Sequence, residues 1–385
     1  MATGVIEGSN RILRESVKRY MRVTLSAAAP AACWNCPQGA KRYLLTEDTV
    51  QLQRFQQHKL ATEYKIYGEK DTYFKIIEDK LAENKLIFKH EMKLLLHLCQ
   101  TKDEFEIVKK TIYRYYAENK NVAFGTFRFG PLFMRLCYEM NFEESALELI
   151  KDQALHGFFS DSTSFNLLMD MLFIKGHYER ALEVLLEMKR QGVKFNNETY
   201  LLAVAICYKL NNSESCKICT TLLENRELSG NHMSKRIYYF AVAFALKQKD
   251  VGMARSFFSQ IINTDNRICI NLKILLQAAS GDLEDLVQTL KTASETSASY
   301  FVKKPEFCMQ VLSTAREKLK DNPVLCVQFG NIFAKLQASG QIMSLTLDDL
   351  LCQPTSTKRR HLPLLKQNQV SHWTSKPLCS PLLAE

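Results

Sequence analysis

Residues 161–192 read Asp161-Ser-Thr-Ser-Phe165-Asn-Leu-Leu-Met-Asp170-Met-Leu-Phe-Ile-Lys175-Gly-His-Tyr-Glu-Arg180-Ala-Leu-Glu-Val-Leu185-Leu-Glu-Met-Lys-Arg190-Gln-Gly192. The stretch is a helix, a turn and a second helix. Asp161 and Ser162 offer N-cap oxygens, the first helix runs to about Lys175 and Gly176 breaks it. The second helix runs from about Tyr178 to Arg190, and Gly192 closes the unit. The first helix is apolar almost all round, with only Asn166 and Asp170 interrupting it, so it must be packed on several sides. The second is amphipathic, burying Ala181, Leu185 and Met188 and turning Glu183, Glu187 and Lys189 outward.

The unit recurs in both directions. Ala146-Leu-Glu-Leu149 returns as Ala181-Leu-Glu-Val184, and Gly157-Phe158 as Gly192-Val193, each 35 residues on. Phe165 maps onto Tyr200 and Ala181 onto Cys216 at the same spacing. Less regular helix pairs follow the pattern at 91–100 with 103–119, 233–247 with 250–262, 267–279 with 282–292, and 305–319 with 323–337, making about six or seven hairpins. A fixed period of this size predicts an all-α chain, an α-solenoid stabilised by neighbour contacts. Composition agrees: 14 Gly and 9 Pro in 385 residues are too few for the turns of a sandwich or barrel.

The segment Phe165-Asn-Leu-Leu-Met-Asp-Met-Leu, continued by Lys175-Gly-His-Tyr-Glu-Arg-Ala-Leu-Glu-Val-Leu-Leu-Glu-Met-Lys-Arg-Gln-Gly-Val-Lys194, resembles a pentatricopeptide repeat. The likeness lies in the aromatic-Asn opening, the Gly turn, the Glu-Arg-Ala-Leu-Glu segment and the Glu-Met-Lys-x-x-Gly-Val-Lys exit. Tetratricopeptide repeats differ in their 34-residue period and their usual Pro at the end of the second helix. The resemblance implies a mitochondrial matrix protein that binds single-stranded RNA on the face lined by first helices and acts in processing or stabilising organellar transcripts, with RNA-processing proteins as candidate partners and no role on DNA. Carried over by position, the base-reading residues are Asn166 and Asn196. The equivalents before are Pro131 and Asp161, and after, Leu201 and Asn231, so one repeat alone carries a readable pair. The phosphate-contacting Lys late in the first helix is matched by Lys209, with Glu139 and Ile174 at the same place in the preceding repeats.

The chain divides by composition. Residues 1–42 carry seven basic and two acidic side chains, with Arg11, Arg14, Lys18 and Arg22 at helical spacing, and read as a mitochondrial presequence. Residues 43–90 read as an N-terminal helical region, 91–340 as the array with its clearest repeat at 162–196, and 341–385 as a short helix and a disordered basic tail. The two termini account for nine of the ten excess positive charges, so 43–352 is nearly neutral. The longest apolar run, Ile237 to Leu246, is half of what a bilayer-spanning helix needs, and no transmembrane insertion is expected.

No constellation for catalysis stands out, and no cofactor or metal is expected. Cys216-x-x-Cys219 sits at apolar repeat positions and reads as core thiols, the reduced state expected of an intracellular chain. Cys33-x-x-Cys36 falls in the presequence. His90 and His97 have no carboxylate spaced with them, and Asp348-Asp349 reads as the opening of a helix. Aromatics at Tyr113, Tyr115, Tyr116, Phe124, Phe127 and Phe129, interleaved with Arg114, Lys120 and Arg128, read as core or as stacking platforms for bases. A non-enzymatic RNA-binding factor is therefore expected. The alternative is a scaffold that docks proteins in a mitochondrial assembly.

Overall fold

The computed structural model describes residues 44–66, 68–119, 127–228, 230, 233–262, 264–295 and 304–353. The expectations for the presequence, for the tail beyond 353 and for Lys120, Phe124, Asn231 and Cys33-x-x-Cys36 fall outside these residues. The fold is the all-α repeat array expected, with 18 α-helices and one two-stranded sheet among the described residues.

The helices are α1 (Glu47–Val50), α2 (Leu52–Ile66), α3 (Lys70–Ala82), α4 (Lys89–Leu98), α5 (Lys102–Asn119), α6 (Gly130–Met140), α7 (Glu143–Lys151), α8 (Ser162–Ile174) and α9 (Tyr178–Arg190). They continue as α10 (Asn197–Leu210), α11 (Ser213–Leu228), α12 (Lys235–Lys247), α13 (Val251–Ser259), α14 (Arg267–Ser280), α15 (Leu283–Glu295), α16 (Met309–Lys318), α17 (Pro323–Ala338) and α18 (Leu347–Cys352). First helices pack on first helices, in the order α4, α6, α8, α10, α12, α14 and α16. The second helices form the other layer, with α7 against α9 and α15 against α17.

The turn inside each of the five hairpins from α6–α7 to α14–α15 holds a residue in the left-handed region, where Gly is unstrained and Asn is the next best tolerated. Gly176 has φ 81°, and the residues 35 before and after it, Asn141 and Asn211, have φ 58° and 49°. The turn is thus conserved in shape while its residue changes, which is why matching glycines alone misses it.

The first helices are buried more completely than stacking requires. In α8 every residue from Ser164 to Phe173 is buried, and in α12 every residue from Ile237 to Ala245. The second helices cover one side. On the opposite side, called here the inner face, lie two segments from the ends of the body. Leu44 and Leu45 are buried there, and the Leu45 amide makes a long bond of 3.4 Å to Asp170 Oδ1 on α8. From the other end, α18 packs on α12 and α14, burying Leu347, Leu350, Leu351 and Cys352. Its approach is fixed by β1 (Phe307–Cys308), which pairs in parallel with β2 (Ile342–Met343).

Candidate RNA-binding face

Four cations on the first helices reach these two end segments, and a fifth stands beside them. On α6, Arg135 Nε donates to the Val50 carbonyl at 2.7 Å. On α12, Arg236 donates to the Leu44 carbonyl at 2.9 Å and to the Gln353 carbonyl at 3.3 Å, so one guanidinium holds both ends of the described body. On α14, Arg267 donates to Gln353 Oε1 at 2.9 Å and lies 3.5 Å from Glu306. Lys209, at the end of α10, pairs with Asp348 on α18. The fifth, Lys247 at the end of α12, sits 3.6 Å from the centroid of the Tyr208 ring. Lys209, Lys247, Lys318, Gln310, Thr314 and Asp348 line a cavity of about 400 Å³ with an apolar floor of Ala243, Leu246 and Leu275.

Burial sets the electrostatics. It lowers the pKa of Arg135 and Arg236 from their ordinary values, since each is partly withdrawn from water, and partial desolvation lowers that of the more exposed Lys247 as well. Asp170 is fully enclosed, and desolvation raises its pKa to about 6 against the pull of Tyr138, the Leu44 and Leu45 amides and the Arg236 charge. The Tyr138 hydroxyl donates to Asp170 Oδ2 at 3.0 Å.

The expected base-reading pair is brought together. Asn166 Nδ2 donates to Asn196 Oδ1 at 3.0 Å, and the Thr199 hydroxyl donates to Asn166 Oδ1 at 2.8 Å. Asn196 caps α10 by accepting from the Thr199 amide at 2.8 Å, and its own Nδ2 donates to Ser162 Oγ at 3.1 Å. Asn166 is 1% exposed, so both ends of its amide are committed within the protein. Beside this network a cavity of about 430 Å³ opens among Arg128, Asp161, Ser162, Gln191 and Lys194. Lys209 stands apart from the pair, on Asp348.

Sequence reasoning missed Asn271, which holds the same place in α14 as Asn166 in α8, the fifth residue of its helix. Its Nδ2 donates to the Glu306 carbonyl at 2.9 Å, and its Oδ1 accepts from the Cys308 amide at 2.8 Å. In both repeats this Asn ties one first helix to the start of the next. The available signal was an Asn in an otherwise apolar helix, since a buried amide requires partners.

The remaining candidates divide by exposure. Cys219 is buried and Cys216 half-buried, both thiols raised by desolvation. His97 is buried with Nδ1 2.7 Å from the Lys93 carbonyl, and His90 is exposed. Tyr115 packs on Phe129, and the Tyr113 and Tyr116 hydroxyls donate to Asp152 and to the His156 carbonyl. Phe127 is 38% exposed, with Lys89 and Lys93 ammonium groups 5.6 and 5.5 Å from its ring centroid. Among the described residues no cluster of three His, Cys, Asp or Glu is placed to hold a metal, and no helix is long and apolar enough to cross a membrane.

Comparison with known proteins places these features. The sequence model of a family described as mitochondrial 28S ribosomal protein S27 matches residues 77–370. A Xenopus laevis protein named pentatricopeptide repeat-containing protein 2, mitochondrial, is 51% identical over 98% of this chain and 98% of its own. Proteins of the same name from Homo sapiens and Danio rerio are 51% and 45% identical, covering 98% and 96% of this chain and 97% and 99% of their own lengths. With near-complete coverage at this identity, and with the ribosomal protein S27 family model matching most of its length, the chain belongs to the mitochondrial pentatricopeptide repeat-containing protein 2 family and is a mitochondrial helical-repeat protein.

Proposed function

We propose that the chain is a non-catalytic factor that binds single-stranded RNA in the mitochondrial matrix and acts in the processing or stabilisation of transcripts. The observation that carries this is the set of Arg135, Lys209, Arg236, Lys247 and Arg267 on the first helices α6, α10, α12 and α14. These cations project from one face of a body whose net charge is close to zero, and their present partners are mostly carbonyl and carboxylate oxygens. A strand of phosphates offers the same acceptor chemistry with more charge. Phe127 between Lys89 and Lys93 adds an exposed ring of the kind that stacks on a base. Asn166 and Asn196 serve in this reading as a base-contacting pair that must exchange their mutual bond for one to a nucleotide at the neighbouring cavity. Purified protein is expected to bind single-stranded RNA with steep salt dependence and to leave it uncut when magnesium is added. Crosslinking in mitochondria followed by sequencing identifies the RNA, and recovery of no RNA above background refutes the reading.

A second reading is favoured by two observations. The matching family is described as a ribosomal protein, and α17, the last second helix, presents Val324 and Val327 to solvent at 65% and 67% exposure. A scaffold docked on a mitochondrial ribonucleoprotein fits both. Co-sedimentation with the small ribosomal subunit that survives ribonuclease treatment and Val324→Asp abolishes supports this alternative.

A further inference from the structure

The inner face is already full. Resting on the RNA reading above, we propose that the C-terminal segment 347–353, together with the strap at 44–50, is a built-in occupant of the RNA-binding face, and that RNA binds by displacing the C-terminal one.

The contacts carry this. Arg236 and Arg267 take carbonyl and amide oxygens of Gln353, and Lys209 takes the carboxylate of Asp348, so the segment presents acceptor oxygens to three cations of the proposed site. The segment stands in for a polyanion at the atoms that would contact one. Its attachment is suited to release. The chain is pinned just before it by the β1–β2 pairing and by Gln341, whose Nε2 donates to the Pro305 carbonyl at 3.0 Å. Between that anchor and α18 lie Ser344, Leu345 and Thr346, all three exposed, a short hinge whose motion leaves the anchor in place. The helix carries its own capping box: the Asp349 amide donates to Thr346 Oγ1 at 3.1 Å, and the Thr346 amide donates back to Asp349 Oδ2 at 3.2 Å. The box sets the helical turn in which the segment docks on the face. It packs on α12 and α14, and it is tied to two more first helices by the Leu347 amide, which donates to Gln310 Oε1 on α16 at 3.4 Å, and by the Lys209–Asp348 pair on α10.

The test compares the full-length mature protein with Leu350→Asp/Leu351→Asp, which removes two buried anchors, using fluorescent mixed-sequence single-stranded RNA. The variant is expected to bind at least about tenfold more tightly, as a site occupied by its own chain more than about nine-tenths of the time requires. A synthetic peptide of Ser344 to Gln353 is expected to compete with RNA on the opened variant. Hydrogen exchange on the unmodified protein gives a measurement that does not depend on the variant folding: RNA must lower amide protection at 347–352 while raising it on α10, α12 and α14. A folded variant with unchanged or weaker RNA affinity, or protection at 347–352 that RNA leaves intact, overturns the displacement while the RNA reading stands. Failure of every form to bind RNA overturns both.

Discussion

Asn166 is the residue on which structural and recognition roles meet. Its amide bridges α8 to Asn196 and Thr199, so Asn166→Ala leaves buried polar partners short of a bond and is expected to destabilise the protein by about 1–3 kcal/mol in chemical denaturation. In RNA binding the same variant separates two outcomes. Lost preference at a single nucleotide marks a base contact, whereas equal affinity for all RNAs marks a clamp like Asn271. Asp170 yields a second expectation. Burial holds its folded pKa at about 6, above the ordinary 3.8 of an aspartate, so between these values the folded state keeps a proton that the unfolded state has lost. Stability therefore falls as pH rises through that window and levels off above it, with a penalty on the order of 3 kcal/mol. The difference between wild type and Asp170→Asn, measured by urea denaturation from pH 4 to 7.5, should reproduce this slope. A flat difference shows that Tyr138, Arg236 and the Leu44 and Leu45 amides hold the carboxylate near its ordinary value. At this scale the sequence placed Asn166 beside Asn196, because both lie within one repeat. The Lys209–Asp348 pair spans 139 residues and left no local trace.

Among the elements, the α8–α9 hairpin was the most legible. Its caps, its Gly176 turn and the apolar pattern of two different helices all lie in one short window, and the period then carried the reading to neighbouring hairpins. The apolar circumference of the first helices called for packing on several sides, but hydrophobicity did not show that the two ends of the body supply part of it. The cover is marginal by magnitude. Burying Leu347, Leu350, Leu351 and Cys352 yields about 6–12 kcal/mol, while fixing the backbone of residues 347–353 costs about 7–14 kcal/mol. The near-balance is what a displaceable element requires. A contrasting rigid contact lies where α6 meets α8. A Cβ at Gly130 would stand 2.5 Å from Ser164 Oγ and 3.2 Å from Phe159, so Gly130→Ala is expected to lower stability by about 1–3 kcal/mol. Ser164→Gly in the same chain should restore much of that loss in a thermal melt. Additive losses would place the strain elsewhere.

For the whole molecule, the sequence separated a balanced body from two basic ends, and the structure shows that the body begins and finishes on its inner face. Leu44 is integral to that face, so removing residues 1–40 is expected to abolish mitochondrial import and leave the folded body unchanged by circular dichroism and melting. Normal residence of the truncated protein in mitochondria refutes the presequence. What the sequence did not disclose is closure. Stacked repeats ordinarily touch only their neighbours, so their parts melt with some independence. Here Arg236, on a middle helix, grips residues 192 positions before it and 117 after it. That grip adds long-range coupling to a chain otherwise held by sequential contacts, and it makes unraveling from either end a shared event. Denaturation of the intact body should therefore approach a single sharp transition, and Arg236→Ala should broaden it and lower the denaturant slope by letting terminal repeats peel away first. The array behaves, in thermodynamic terms, less like a row of dominoes and more like a clasped bracelet.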